Sequence, residues 1–432
     1  MIAPTQQALR RGWCPSTLRP METGDGWLVR LHPPGGRMQP AQLRRLTDLA
    51  EETGNGLIEI SGRGNLQIRG VRQEAHPTLV EALLAERLVD EAGGPGPQRL
   101  VLASPLAGQD AGDLIDAAIL AASLERQGRA ISGLPPKTSV IVDGGGELAL
   151  DGFAGDLRVV AIDQGSVVIG LPQGGWLGPV ASDDAGAVTA GLLSGFAAYR
   201  RAAPDRIHRL RDLDDDQISA LTQACSISRA AAPAARSAPR RVGLFALRAS
   251  RCALIAGLPF GRSDTRTLSR LCEAASAHGV SEIRFSPWRG LAFLGLEHNA
   301  AASLTARCEA LGLIIRDADP RLSVQACSGK PACLRGETQT MGDAAVLAAA
   351  AASLLAAGLS LHLSACVKSC AHAGPADLTL VGHDGRYDVV VGGTTRDKPM
   401  ARLDLSQIVQ RLQPGQDIHT RLTAGRLSGP QV

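Results

Sequence analysis

Four cysteines fall in the last quarter of the chain. Cys327 and Cys333 lie in ACSGKPACLRG with five residues between them, and Cys366 and Cys370 lie in ACVKSCAHAG with three between. Thiolate is the soft ligand that zinc and iron–sulfur clusters take. Structural zinc uses tight knuckles of two to four intervening residues, and the first gap here is wider. Gly329 and Pro331 bend that gap so that both thiolates can face one point. The second pair follows the apolar run LSLHLSA and sits on one helical turn or in a tight loop. A four-iron cube offers separated corners that a wide loop plus a close pair can span. The spacing favours such a cube, with a single zinc or incidental cysteines as the alternatives. Cys14, Cys225, Cys252, Cys272 and Cys308 are scattered and read as small buried hydrophobes. The opening MIAPTQQALRRGWC has no apolar h-region, so no signal peptide is expected. In a reducing cytoplasm, clustered cysteines are metal ligands or catalytic groups more often than disulfides.

The chain that must position these thiols is written twice. LVRLHPPGGRMQPAQLRRLTDLAEETGNGLIEISGRGNLQIRGV (28–71) is answered by LIAGLPFGRSDTRTLSRLCEAASAHGVSEIRFSPWRGLAFLGL (254–296). Each reads as a strand, a Pro/Gly turn ending in Arg, a helix, and two short strands. Arg37 pairs with Arg262 and Arg63 with Arg289 at nearly one offset. VLASPL (101–106) answers VQACSG (324–329), Asp113–Gly128 answers Asp343–Gly358, and 155–171 answers 376–393. Matches in the same order at nearly one offset mark a duplication. Ser104 stands where the second copy has Cys327, and the first copy has no match for the other three cysteines. The scaffold therefore folds without the metal. SRAAAPAARSAPRR (228–241) has no hydrophobic period and reads as a linker. The expected organisation is α+β. Small β-α-β units cover 10–75 and 242–300, larger α/β units cover 96–225 and 318–425, and 226–241 joins the halves. A ligand would sit between them, about a pseudo-two-fold axis.

The 432 residues carry a net charge of only +3 and 3% aromatics, which argues against a nucleic-acid surface or a membrane-directed charge. The Ala-rich run Ala344–Gly358 is too short to span a bilayer and reads as a buried helix. No Gly-x-Gly-x-x-Gly opens a helix after a strand, so no nicotinamide site is expected and reducing equivalents would come from an external electron donor.

Cys-x5-Cys followed by Cys-x3-Cys in the second half of a duplicated chain resembles the sulfite and nitrite reductase superfamily. GRGNLQIRG, with Arg63, Asn65 and Gln67, resembles its Arg-rich strand; PPGGRM resembles its Pro-Gly-Gly turn; GLPPKTSVIVDGGG, with Lys137, resembles its lysine segment. The resemblance covers about residues 10–425. It implies two ferredoxin-like half-domains, two reductase-type units, and a [4Fe-4S] cluster on Cys327, Cys333, Cys366 and Cys370 beside a tetrapyrrole. Two departures count against a sulfite or nitrite reductase using sirohaem. Ser139 stands where a second lysine is usual, and His32 stands near the place of an arginine, with Arg30 displaced by two. Holding a small dianion needs several positive groups crowded together.

RGWCPSTLRPMETGDGWLVRL resembles instead the precorrin-3B synthase family, the oxygen-dependent branch in aerobic cobalamin synthesis. There the tetrapyrrole is the substrate. The resemblance implies a cytoplasmic monooxygenase that hydroxylates precorrin-3A at C20 and closes a γ-lactone, using O2, the cluster and a mononuclear non-haem iron. A ring fringed with carboxylates suits a cleft lined with bidentate arginines. The candidates are Arg30, Arg63, Lys137, Arg284 and Arg289. No ligand of the mononuclear iron is assigned; His362 and His372 lie nearest the cluster in sequence. The alternatives are a sirohaem-dependent sulfite or nitrite reductase and a zinc-stapled binding protein.

Overall fold

The computed structural model describes residues 14–90, 95–412 and 418–423. Residues 10–13, 413–417 and 424–425, included in the sequence-derived units, lie outside the described residues.

Each small unit is a four-stranded antiparallel sheet with a long helix between its second and third strands. In the first, the strands are Met21–Thr23, Gly26–Leu31, Leu57–Ile60 and Leu66–Val71, and the helix is Pro40–Thr53. Pro40 opens that helix inside a Gln39–Gln42 capping box. Leu43, Leu46, Leu49 and Ala50 recur at helical spacing and are buried against the sheet. In the second unit, strands Gly243–Ala246, Cys252–Gly257, Glu282–Ser286 and Gly290–Leu296 accompany helix Thr265–Ala277. Asp264 caps this helix by accepting from the Thr267 N–H.

The two units exchange strands. Arg262–Asp264 of the second half adds to the edge strand Leu57–Ile60 of the first, while Arg37–Met38 of the first adds to Glu282–Ser286 of the second. Both strands are the short ones that follow the Pro/Gly turns. Each covers the other half's exposed sheet edge. One hydrophobic core runs through both, with Val29, Leu46, Ile58 and Ile68 meeting Leu254, Leu271, Ile283 and Phe293. Each such side chain contributes about 1.5–3 kcal/mol by burial, so the halves hold together as one body.

The two larger units repeat one topology. Val101–Ala103, Val140–Asp143 and Leu157–Asp163 are parallel neighbours, and Ser166–Gly170 returns antiparallel. Val324–Ala326, Leu361–Ser364 and Ala376–His383 are parallel neighbours, and Arg386–Gly393 returns antiparallel. Helix Ala117–Ala130 covers the first sheet, capped by Asp116 rather than beginning at Asp113. The Ala-rich run is not one buried helix. It forms Thr340–Ala350 and Ala352–Ala356, broken at Ala351, with Val346 47% exposed. Nothing in the local sequence accounts for the break. The 226–241 stretch contains one short strand, Arg229–Ala230, paired with Trp176–Leu177, and is anchored by ion pairs Arg236–Asp143 and Arg240–Glu147. Among the described residues no helix is long and apolar enough to cross a membrane.

Candidate active site between the two halves

The cysteine loops leave the carboxyl ends of two neighbouring parallel strands, Val324–Ala326 and Leu361–Ser364. Crevices at such strand ends are where open α/β sheets bind ligands. Cys327 begins the first loop, its N–H donating to Leu363 O at 3.2 Å. Its Sγ accepts from the Ala365 N–H at 3.2 Å and lies 3.6 Å from Thr340 Oγ1. Gly329 turns the chain at φ 59°, where a side chain would collide with the Thr338 carbonyl at 2.7 Å. Cys366 and Cys370 sit in a tight loop, not a helical turn, with Ser369 in the left-handed region at φ 60°.

Desolvation on its protein side pushes the Cys370 thiol up to about 11; Lys368 opposes this, and Cys327, Cys366 and Cys333 add to it. Burial raises Cys366 as well; a Lys368 backbone hydrogen bond opposes this, and Cys327 and Cys333 add to the rise. The four thiols therefore share one neighbourhood in which their thiolates repel. Bound iron would relieve that repulsion. Among the described residues, no three His, Cys, Asp or Glu side chains close on a single-ion geometry. A cube takes one thiolate per iron and needs no such convergence. Four cysteine thiols are the donor set that a [4Fe-4S] cluster takes.

The basic face lies on the first half. Arg30 donates from Nε and Nη2 to Gln67 Oε1 at 3.1 and 2.9 Å. Burial lowers its pKa, Cys14 raises it, and Arg63 lowers it further. Arg63 reaches solvent from the Ser61–Asn65 turn. Desolvation on its protein side and the Arg209 guanidinium push it down, against Asp156 and Cys14. Arg99 donates to Gly64 O at 2.8 Å; burial lowers it, Glu125 opposes, and Arg30 and Arg63 lower it again. Arg30, Arg63, Arg99 and Arg209 thus crowd one region with too few carboxylates to neutralise them. Such a cluster attracts anions. Lys137 is exposed on the adjoining loop, where Cys14 Sγ lies 3.9 Å from Pro136 O. Ser139 is buried, its N–H donating to Asp156 Oδ2 at 2.9 Å.

Arg289 connects this face to the cysteines. It holds a left-handed φ of 60° and donates from Nη2 to Ala371 O at 2.8 Å. Its Nη1 lies 3.5 Å from Ala326 O. Burial lowers its pKa, while Glu59 and Cys327 raise it. A Cβ on Gly62 would lie 3.7 Å from its Nε and Nη2, so the Arg63 turn abuts it. Arg284 is not brought to this group. Its guanidinium pairs with Glu282 and donates to Ala107 O at 2.7 Å and Pro105 O at 3.3 Å. Those carbonyls belong to the first copy's counterpart of the Cys327 loop.

Arg99 and Arg209 were not singled out from the sequence. Arg99 only precedes a strand, and Arg209 lies in a loop with no motif around it. His362 and His372 are edge-on with ring centroids 5.5 Å apart. His362 is fully buried, and burial, His372 and Arg289 drive it down to about 4. Two imidazoles beside a guanidinium, with no converging carboxylate among the described residues, do not form a facial triad. The residues present do not fit a mononuclear iron there.

The nitrite/sulfite reductase ferredoxin-like half domain matches twice, at residues 19–86 and 248–311. A Sinorhizobium sp. precorrin-3B synthase is 32% identical over 99% of this chain and 95% of its own. A ferredoxin–nitrite reductase of Synechococcus elongatus is 24% identical over 89% of this chain and 81% of its own. A Mycolicibacterium paratuberculosis sulfite reductase is 26% identical over 85% and 72%. The solved Mycobacterium tuberculosis NirA protein superposes with a TM-score of 0.72 over 89% of this chain and 79% of its own, at 21% identity, a likeness of fold.

Proposed function

This chain belongs to the precorrin-3B synthase family of the nitrite and sulfite reductase-like proteins, and we propose that it is an oxidoreductase of aerobic cobalamin synthesis that hydroxylates precorrin-3A at C20 and forms the γ-lactone of precorrin-3B. The observation that carries the reading is the adjacency, through Arg289, of the two cysteine loops and a four-arginine face at the seam of a duplicated chain. The similarity to reductases supports the cluster.

Arg30, Arg63, Arg99, Arg209 and Lys137 take the carboxylates that fringe the tetrapyrrole. Paired guanidinium–carboxylate bonds set which ring edge faces the cysteines. Arg289 holds the Ala326 and Ala371 carbonyls and keeps the cysteine loops against the Arg63 turn. Arg284 keeps the first copy's matching loop in place. When bound by the four thiolates, a [4Fe-4S] cluster supplies electrons one at a time. Placing one oxygen atom of O2 in the product and the other in water consumes electrons and protons from outside the chain, so the reading includes a separate donor in the cytoplasm. No step is assigned to a mononuclear iron. Ser139, buried where reductases carry a lysine, leaves the reductase reading without its second cation.

Anaerobically purified protein is to be assayed for iron, sulfide and absorption, then for precorrin-3A consumption under air and under argon. A cluster band without sirohaem bands, and consumption only under air, support the assignment. Bound sirohaem, or oxygen-independent turnover, removes it.

A further inference from the structure

A continuous hydrogen-bonded path runs from Arg30 to the loop between Cys327 and Cys333. Gln67 is its first link. Its Oε1 accepts from Arg30 at 3.1 and 2.9 Å, and its Nε2 donates to Glu59 Oε2 at 3.3 Å. The two contacts orient the amide, since a reversed amide would turn its NH2 toward a cation. Glu59 is the junction. Its Oε1 accepts from Arg262 at 3.0 and 2.6 Å and from Ser328 Oγ at 3.2 Å, while Arg69 Nη1 lies 3.4 Å from Oε2. Arg69, only 3% exposed, carries the path onward. It donates to Ser328 Oγ at 3.2 Å and to Ala332 O at 2.8 Å, and it pairs with Asp25 at 2.7 Å. The Gly24 N–H donates to the same Ala332 carbonyl at 3.2 Å.

The loop that ends in Cys327 and Cys333 is therefore suspended from side chains of the other half of the chain. Asp25 and Glu59 balance Arg69 and Arg262, so the quartet is neutral and has no spare charge. Burial alone would raise the Glu59 pKa, yet Arg69 and Arg262 bring it below its usual range. A substrate carboxylate that takes Arg30 competes with Gln67 for the same N–H groups. Gln67 then loosens, and the bonds that Glu59 accepts along the path redistribute. The second copy uses the position equivalent to Glu59 differently: its Arg284 holds the Pro105 and Ala107 carbonyls, in a first-copy loop with no cysteine.

We propose that Glu59 is a positioning residue that couples carboxylate binding at Arg30, through Gln67, to the geometry of the Cys327–Cys333 loop, so that the cluster senses an occupied substrate site. This rests on the cluster and substrate reading above.

The test uses full-length protein with its cluster and uroporphyrin III, a metal-free tetrapyrrole carrying eight carboxylates. Wild-type protein is compared with E59Q, E59D and Q67M. Binding is read by porphyrin fluorescence, and the cluster by its reduced-state EPR spectrum and midpoint potential. In wild type, saturation with the porphyrin shifts both cluster readouts. In Q67M and E59Q the porphyrin still binds and the shift is lost, while E59D restores it. If E59Q does not fold, Q67M decides, because it leaves the Glu59 ion pairs in place. An unchanged shift in a variant that binds porphyrin overturns the proposal, as does a wild-type cluster that ignores bound porphyrin. Wild-type protein without iron and sulfide would instead overturn the cluster reading beneath it.

Discussion

Arg262 and Glu59, 203 residues apart, pair through both backbone and side chain. Their Cα atoms are register partners in an antiparallel ladder, and the guanidinium donates twice to Glu59 Oε1 at 3.0 and 2.6 Å. The exchanged strand thus holds the two halves by the residue that also holds the cysteine loop. The side chains are 16% and 14% exposed, so both charges are largely desolvated.

Breaking this pair is expected to destabilise the chain. Arg262→Met leaves Glu59 with one guanidinium and should cost about 2–3 kcal/mol, less than removal of a partner from a wholly buried pair. Urea unfolding measures it. A loss below about 0.5 kcal/mol, the level of an exposed pair, would show that the contact is not formed in solution.

Cys370→Ser is expected to abolish cluster iron and sulfide while leaving the fold intact, because the first copy builds the same sheet with no cysteine in these places. Iron and sulfide analysis beside far-ultraviolet circular dichroism reads both effects. Full iron content in the variant would remove Cys370 from the ligand set.

On the basic face, Arg63→Ala should raise KM for precorrin-3A about 10- to 100-fold, the loss of one charge-assisted contact of about 1.5–3 kcal/mol. Arg99→Ala should behave similarly although Arg99 lies outside every recognisable motif. Equal KM in wild type and both variants would place the substrate elsewhere.

Gly24→Ala tests the suspension of the cysteine loop without changing any charge. A Cβ there would overlap the Pro331 carbonyl oxygen, and the displaced chain lies between Cys327 and Cys333. The expected result is reduced cluster occupancy at nearly wild-type helix and sheet content. Normal occupancy would mean that the loop tolerates displacement.

Asp113 makes stability depend on pH. Burial raises its pKa from 3.8 to about 6, with the Gly108 N–H opposing and Asp110 adding to the rise. The folded chain therefore binds this proton more tightly than the unfolded chain. Stability contributed here is present below about pH 4 and is lost as pH rises through about 6. Asp113→Asn should be more stable than wild type at pH 8, by up to about 2 kcal/mol, and equal to it near pH 4. A gain independent of pH would contradict the titration.

Much of this was legible in the residues. The repeat offsets located both half-domain sheets and both larger sheets, because strand periodicity, Pro/Gly turns and helix caps are local signals. Cysteine types and gaps suggested a soft-metal centre for the same reason, a reading that remains the proposal made above. The Ala-rich run misled: its composition promises an unbroken buried helix, and the structure breaks it at Ala351 and exposes Val346. Arg284 looked equivalent to the other arginines, yet its guanidinium is occupied by Glu282 and two carbonyls.

By itself the sequence determined the duplication, the element types and the four thiols, since each depends on residues within a few turns of chain. Only the tertiary structure decided that the halves trade strands. It also decided that Arg99 and Arg209 join Arg30 and Arg63, and that the Cys327 loop hangs from Arg69 and Glu59. These contacts join residues up to about 270 positions apart, and no local pattern encodes which buried charge will find which partner until packing removes water from both.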